Sequence, residues 1–219
     1  LMGFAEILDK QYFGPLNERQ QEYTGGLMEA SERLHSLIDD ILDLSTIEAG
    51  YMELDIADVG IYDMLESIHG LTLDWARKEN LNLILDCGQD IGSLPADERR
   101  LKQVLLNLVR NAISYTPANG TITLSAALKD DMIALSVKDT GPGIDEEAIR
   151  RVFKPFERII PTKDDDGTSP VRTGAGLGLT LVKNIVELHG GEVDIQSVLK
   201  KGTTVTLLLP REKVKQDAL

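Results

Sequence analysis

Two asparagines set four residues apart, Asn107 and Asn111, are the side chains of this sequence that most directly suggest chemistry. They stand in the segment LLNLVRNAISYTP, and the apolar residues at positions 104, 105, 108 and 112 predict a helix that projects both amides from one face. A carboxamide oxygen is a neutral, hard ligand that suits Mg²⁺, an ion that keeps several waters and bridges phosphates. Taken alone, an N-x-x-x-N pair is more readily explained by capping or solvent-facing amides.

A second motif, DTGPGI, begins on the last residue of the strand-like run MIALSVKD. Asp139, at the end of that predicted strand, can accept a hydrogen bond from an exocyclic amine. Gly141 and Gly143 let the backbone approach a flat base closely, because they carry no side chain. A lone D-x-G-x-G pattern is also common in ordinary turns.

The motifs FKPFER and GAGLGL follow, separated by a polar segment at positions 159–173, IIPTKDDDGTSPVRT. GAGLGL opens a predicted helix, so its backbone N–H groups can hold phosphate oxygens, although the same run also suits a tight packing turn. Phe153 and Phe156 are predicted to be core residues that anchor the adjoining loop. The polar segment is predicted to be a solvated loop, and its place between two motifs makes it a candidate lid.

The order of the four blocks carries more weight than any one of them. Together they predict an ATP pocket with a metal on one side, a carboxylate at the adenine and a glycine loop at the phosphates. The composition argues against a nucleic-acid surface, because 36 acidic against 23 basic residues give a net charge of −13. One cysteine excludes a disulfide framework. No apolar run approaches the ~18–20 residues of a membrane span.

The elements that must position these motifs alternate from about Leu54 onward. Strand character is present in LNLILDC, GTITLSAALK, MIALSVKD, GEVDIQSV and GTTVTLLLP. Helices are predicted for IYDMLESIHGLTLDWARKE, ERRLKQVLLNLVRNAISY, EEAIRRVF and GLGLTLVKNIVELH. Neighbouring strands with helices between the groups predict an α/β sandwich in which one mixed sheet is covered on one face.

The first fifty residues have a different apolar pattern, which predicts a helical hairpin. A long predicted helix places apolar residues at steps of three and four, namely Leu27, Ala30, Leu34, Leu37, Ile41, Leu44 and Ile47. Asn17 is its predicted N-cap and Gly50 its predicted end. Because two helices cannot bury such a stripe alone, the hairpin is expected to pair with a second copy of itself.

The blocks NLVRNAISYT, DTGPGI, FKPFER and GAGLGL resemble the N, G1, F and G2 boxes of sensor histidine kinases. More broadly they resemble the ATP-binding superfamily of gyrase, Hsp90-type chaperones and MutL. The hairpin, including its ending LDLSTIEAG, is similar to the dimerisation and phosphotransfer domain of the same kinases, in particular the alphaproteobacterial cell-cycle group. The resemblance implies an α+β fold: a dimeric four-helix bundle followed by a GHKL-type α/β sandwich with an ATP lid. The implied domains are residues 1–51, residues 52–213 and a tail at 214–219.

By position, the resemblance implies ATP and Mg as cofactors. It implies a Mg²⁺ ligand at Asn111 and an acceptor for the adenine amine at Asp139, with Thr203 supporting Asp139 through water. The other residues implied at the nucleotide flank the base or line the phosphates: Asn107, Tyr115, Gly141, Gly143, Gly174, Gly176, Leu177 and Gly178. The implied lid runs from Glu157 to Thr173.

Two departures from the family pattern stand out. Ser114 occupies the position, three residues after the metal asparagine, where many of these kinases carry Lys or Arg; Arg110, Lys163 or Arg172 are candidates to replace that charge. The H-E-x-x-x-P-like phosphoacceptor box is not visible, and His35, His69 and His189 stand in other contexts. We therefore expect no catalytic histidine in this chain and place the box upstream of Leu1.

The resemblance implies a two-component sensor kinase that transfers the γ-phosphoryl group of Mg-ATP to a histidine and then to a response-regulator aspartate. The implied partners are a second copy of the chain and a receiver domain, with no nucleic acid. The chain would be the cytoplasmic portion of a protein anchored in the bacterial inner membrane by a segment outside it. A pseudokinase-type binding module is the main alternative; a chaperone- or repair-type ATPase is disfavoured because a helical bundle directly precedes the ATP domain.

Overall fold

The computed structural model describes residues 2–157 and 176–212. The chain forms two compact units, Leu1–Tyr51 and Met52–Leu219. In the described part of the chain, no helix combines the length and apolar character needed to cross a membrane.

The first unit consists of two helices, α1 (Met2–Asp9) and α2 (Glu18–Glu48). Asn17 caps α2 as predicted: its side chain accepts from the backbone N–H of Gln20, and the Gln20 side chain accepts from the backbone N–H of Asn17. This reciprocal pair satisfies two donors that a helix start otherwise leaves open. At the other end Gly50 takes a φ of +72° and donates to the carbonyl of Ile47, which ends the helix as the sequence predicts.

Burial within the first unit is sparse. Among its described residues only Ala5, Thr24 and Leu44 are buried. Large apolar side chains of α2 lie open instead, with Leu27 and Leu34 each 55% exposed. The hairpin therefore has hardly any core of its own.

The second unit is built on a five-stranded sheet in the order β2-β4-β5-β7-β6. Its strands are β2 (Asn82–Asp86), β4 (Thr121–Lys129), β5 (Met132–Asp139), β6 (Glu192–Val198) and β7 (Gly202–Pro210). β2 pairs in parallel with β4, and the other pairs are antiparallel, so the sheet is mixed. A separate antiparallel pair joins β1 (Ala57–Gly60) to β3 (Ser93–Ala96).

One face of this sheet is apolar and carries the core. Alternate residues of the three central strands are buried on it: Ile122, Leu124, Ile133, Leu135, Val137, Leu207 and Leu209. Against them lie the helices α3 (Ile61–Lys78), α4 (Glu98–Tyr115) and α6 (Gly178–Leu188), each with its own buried stripe. The opposite face is largely polar, as at Ser125, Ser136 and Thr206, which are paired across neighbouring strands. The predicted arrangement of one mixed sheet covered on one face is confirmed.

Three local predictions were incomplete or wrong. β1 and β3 were missed, because four residues show too little alternation to register as strands. The helix predicted over EEAIRRVF is only one turn, α5 (Glu146–Ile149), after which turns with bonds between residues three apart lead to Pro155. Phe156, predicted in the core, is 67% exposed and has a φ of +62°.

Candidate functional site

Asp139 ends β5 in the middle of the sheet, and its carboxylate is bound on one side only. Its Oδ1 accepts from the backbone N–H of Gly141 at 2.7 Å and from that of Thr203 at 3.2 Å. Oδ2 has no hydrogen-bond partner among residues 2–157 and 176–212. Burial raises the pKa of this carboxyl, while the two backbone donors act in the opposite direction. The site thus holds one oxygen fixed and leaves the other able to accept a hydrogen bond.

Two glycines of the DTGPGI loop lie close to neighbouring segments. A Cβ on Gly141 would lie 3.0 Å from the carbonyl oxygen of Tyr115, at the end of α4. Gly143 has a φ of +71°, and a Cβ there would clash with the backbone of Val198 on β6. The loop is therefore fixed between the end of α4 and the β6–β7 hairpin. Its Gly141 lies next to both the Asp139 carboxylate and the backbone of Tyr115.

Asn107 and Asn111 lie one turn apart on α4, the helix that Asp97 caps by accepting from the N–H of Arg100 at 3.0 Å. Both side chains are half-buried, and neither amide has a hydrogen-bond partner in the part of the chain that the structure describes. Asn107 faces the start of α6, because a Cβ on Gly178 would lie 3.4 Å from its Oδ1. Asn107 thus lies next to the first turn of α6, and Asn111 lies one turn further along α4.

The glycine motif is only partly described. Gly176 has a φ of +73° and accepts from the N–H of Phe156 at 3.0 Å, which joins it to the FKPFER segment. Thr180, in the first turn of α6, donates to the carbonyl of Phe153 at 3.0 Å. Leu177 is fully buried, so only its backbone could contact a ligand. Gly174 and the predicted lid, apart from Glu157, lie outside the described residues.

The missing basic residue has no substitute nearby in α4. Ser114 is exposed and donates back to the carbonyl of Arg110 at 2.9 Å. Arg110 itself stacks on α3, with its guanidinium carbon 5.6 Å from the centre of the Trp75 ring. Lys163 and Arg172, the other candidates, fall outside the described residues.

The three histidines have distinct surroundings. His35 is exposed on α2, with Nδ1 2.9 Å from Asp39 Oδ2. His69 Nε2 lies 3.3 Å from the carbonyl oxygen of Leu83, to which it can donate. His189, after α6, donates from Nδ1 to the Ile185 carbonyl at 2.7 Å and accepts at Nε2 from the Asp97 N–H at 3.1 Å. Burial lowers the pKa of His189, so it holds α6 to the start of α4 as a neutral side chain.

Sequence reasoning missed Ser197, which the structure places at the centre of a hydrogen-bond cluster. Its Oγ lies 2.8 Å from the N–H of Ile144 and 2.8 Å from Thr203 Oγ1. A single serine in the strand-like run GEVDIQSV belongs to no motif, so nothing in the sequence distinguished it from other strand residues.

The donor set fits a metal that is held partly by phosphates. No group of three or more His, Cys, Asp or Glu side chains within residues 2–157 and 176–212 could hold a metal ion by itself. The amide oxygens of Asn107 and Asn111 would instead be neutral ligands, which suit Mg²⁺ when it retains waters and binds substrate phosphates.

Comparison with known families matches both units. Residues 96–213 match the family model of histidine kinase-, DNA gyrase B- and HSP90-like ATPases, which alone covers more than half of the chain. Residues 1–50 match the model of the His Kinase A (phospho-acceptor) domain.

Individual relatives agree with these matches. The histidine protein kinase DivJ of Caulobacter vibrioides is 38% identical over 96% of this chain and 34% of its own length. The chain spans well under half the length of the curated relatives it matches first. Among solved structures, full-length ShkA in complex with AMPPNP is 30% identical, with a TM-score of 0.78 over 97% of this chain and 42% of that one. The catalytic domain of histidine kinase ThkA is 30% identical, with a TM-score of 0.59 over 73% of this chain and 97% of that domain.

Proposed function

This chain belongs to the sensor histidine kinases, and from that membership and the geometry of the site we propose that its second unit binds Mg-ATP. The γ-phosphoryl group would pass to a histidine of a phosphotransfer helix and then to an aspartate of a response regulator. The observation that carries the proposal is the carboxylate of Asp139, half-buried beside the start of β7 and hydrogen-bonded through one oxygen only.

The adenine would lie against this carboxylate. Asp139 Oδ2 would accept from the exocyclic amine, while Oδ1 stays bound to the N–H groups of Gly141 and Thr203. Because both fixed bonds go to the same oxygen, the base can be recognised without loss of the bonds that hold the loop. Tyr115, whose backbone borders Gly141, would flank the base.

The phosphates would extend toward α4 and the first turn of α6. Asn111 would hold Mg²⁺, with Asn107 beside it next to Gly178. The backbone N–H groups at Gly176, Leu177 and Gly178 would contact phosphate oxygens, since they lie at the N-terminus of an 11-residue helix. Bound Mg²⁺ would neutralise charge on the phosphates. The residues of this chain would act by positioning the nucleotide, which is most of what phosphoryl transfer requires of a protein.

The first unit would supply the dimer and the contact with the receiver domain of a response regulator. Its match to a phospho-acceptor domain supports this role. None of the three histidines is placed as an acceptor by its surroundings, so the accepting histidine would be contributed by a segment outside the chain. We propose that the same holds for anchoring in the bacterial inner membrane, which would leave this chain on the cytoplasmic side.

The test is a calorimetric titration of the chain with ATP, with and without Mg²⁺. We expect Asn111→Ala to lower ATP affinity about tenfold or more with Mg²⁺ present, because a direct ligand of a charged group is lost. Without Mg²⁺ the effect should largely vanish. Asn82→Ala removes the same amide from an exposed position on β2 and serves as the control. A wild-type chain that does not bind ATP, or an Asn111→Ala chain that binds it normally, would refute the proposal.

A second function, a binding module with little kinase activity, is supported by the surroundings of Ser114. Its hydroxyl is bonded within α4, and the neighbouring Arg110 is stacked on Trp75 rather than available as a phosphate ligand at that position. An autophosphorylation assay on a longer chain that includes the acceptor position separates the two functions. Acid-labile phosphate at that position supports the kinase, whereas ATP binding without labelling supports the module.

A further inference from the structure

We propose that Ser197 is a positioning residue for adenine recognition, which it serves by joining the two segments that hold Asp139. This role rests on the proposed function, because it concerns the same nucleotide site. Ser197 itself would not touch the base. It would fix the carboxylate and the loop that do.

The Ser197 hydroxyl lies where three polar groups converge. From its place on β6, Oγ is 2.8 Å from the Ile144 N–H, 2.8 Å from Thr203 Oγ1 and 3.1 Å from the Gly202 carbonyl oxygen. A hydroxyl has one proton and two lone pairs. These distances allow Ser197 to accept from Ile144 and from the Thr203 hydroxyl while it donates to Gly202, so its full hydrogen-bonding capacity is used.

Each of these contacts leads to Asp139. Ile144 closes the DTGPGI loop, whose Gly141 N–H donates to Asp139 Oδ1. Thr203 donates its own N–H to the same oxygen. Gly202 packs so closely on the carbonyl oxygen of Asp139 that a Cβ would clash there. Ser197 therefore adds a second side-chain connection, beside the Asp139 carboxylate itself, between the loop after β5 and the start of β7.

A matched control exists in the same sheet. Ser136 on β5 lies 3.0 Å, Oγ to Oγ1, from Thr206 on β7, and both residues belong to the polar face opposite the helices. Ser136 is also half-buried and bonded to a threonine hydroxyl, but within the described residues its side chain forms no hydrogen bond with the DTGPGI loop. Ser136→Ala thus removes a comparable hydrogen bond without touching the site.

The experiment measures the affinity of the full 219-residue chain for two nucleotides, ATP and purine riboside triphosphate, which lacks the exocyclic amine. We expect Ser197→Ala to lose about five- to tenfold in ATP affinity, the effect of one or two hydrogen bonds, and less than twofold for the amine-free analogue. Ser136→Ala should change neither affinity. Ser197→Thr keeps the hydroxyl on a strand that favours β-branched residues and should retain the preference for ATP.

A general loosening of the fold would lower both affinities together, so equal losses for the two nucleotides in Ser197→Ala would overturn the role of Ser197. Unchanged ATP affinity in that variant, or loss of the preference in Ser197→Thr, would overturn it as well. A wild-type chain that binds neither nucleotide would instead refute the proposed function, and this role with it.

Discussion

The two units of this chain differ in how far they bury their apolar side chains. In the second unit, a mixed sheet and three helices bury side chains such as Leu105 and Ile133 completely. In the first, a 31-residue helix leaves Leu34 and Ile41 at 55% and 42% exposure. Because apolar burial is the main favourable term in folding, the second unit contains its own stabilising core and the hairpin does not.

The residues of the proposed nucleotide site also belong to the second unit alone. They come from α4, α6, β5, β6 and β7, which pack around the core of the second unit. The hairpin presents a helical surface instead of a pocket. We infer that nucleotide binding is a property of a single chain, whereas the hairpin is completed by a second copy.

The largest expected effect concerns the hairpin, and it tests whether a second copy covers the exposed apolar residues of α2. Replacement of Leu34 and Ile41 by Asp should raise the dimer dissociation constant roughly 100-fold or more, because two apolar contacts are lost and two charges would have to be buried. Light scattering should then report monomers where the unchanged chain is dimeric. The control pair Gln21→Asp with Ser36→Asp adds the same charges on the other side of α2. A wild-type chain that stays monomeric at high concentration would refute the prediction that the hairpin forms a dimeric helical bundle.

A smaller effect is expected from a truncation in the core of the second unit. Leu105→Ala should lower its free energy of unfolding by about 2–5 kcal/mol, as is usual when a fully buried leucine is removed. Trp75, the single tryptophan, lies on α3 and reports this transition by fluorescence during urea denaturation. Leu34→Ala should leave the same transition unchanged. Equal shifts in both variants would mean that the units do not have separate cores.

The smallest expected effect is the pH dependence that His189 contributes to the second unit. Its folded pKa is lowered from 6.5 mainly by burial, so the unfolded state binds the proton more readily. The contribution is therefore complete above about pH 6.5 and is lost as the pH falls toward the lower folded pKa, where protonation breaks the bond accepted from Asp97. The free energy of unfolding should fall less steeply between pH 7 and pH 5 in His189→Asn than in the wild type. Parallel slopes would contradict this assignment.

Periodicity was sufficient to predict the long elements. The bounds of α4 and β5 agree with the sequence prediction, because each combines one unbroken apolar pattern with a clear start or end. The fold class and the relation to sensor histidine kinases are confirmed. The four-residue strands β1 and β3 were missed, and Phe156 was wrongly placed in the core because its type suggests burial while its backbone conformation turns it outward.

The residues of the site could be predicted where they belong to sequence motifs. Asp139, Gly141 and Asn107 could be named because each stands in a block whose spacing has a chemical reason. Ser197 and the Arg110–Trp75 contact could not be named, because they depend on tertiary neighbours far apart in the sequence. The roles of the named residues at a nucleotide stay predictions.

The central claim is that Asp139 recognises the adenine, and one paired measurement on Asp139→Asn tests it most directly. The amide can still accept the bonds from Gly141 and Thr203 at its oxygen, but it presents a donor to the adenine amine. Because burial raises the folded pKa above 3.8, the charged carboxylate opposes folding at neutral pH, and its neutralisation should not destabilise the unit. We predict an ATP affinity at least about tenfold weaker by calorimetry, with an undiminished free energy of unfolding by Trp75 fluorescence. Unchanged ATP affinity in Asp139→Asn would contradict the account.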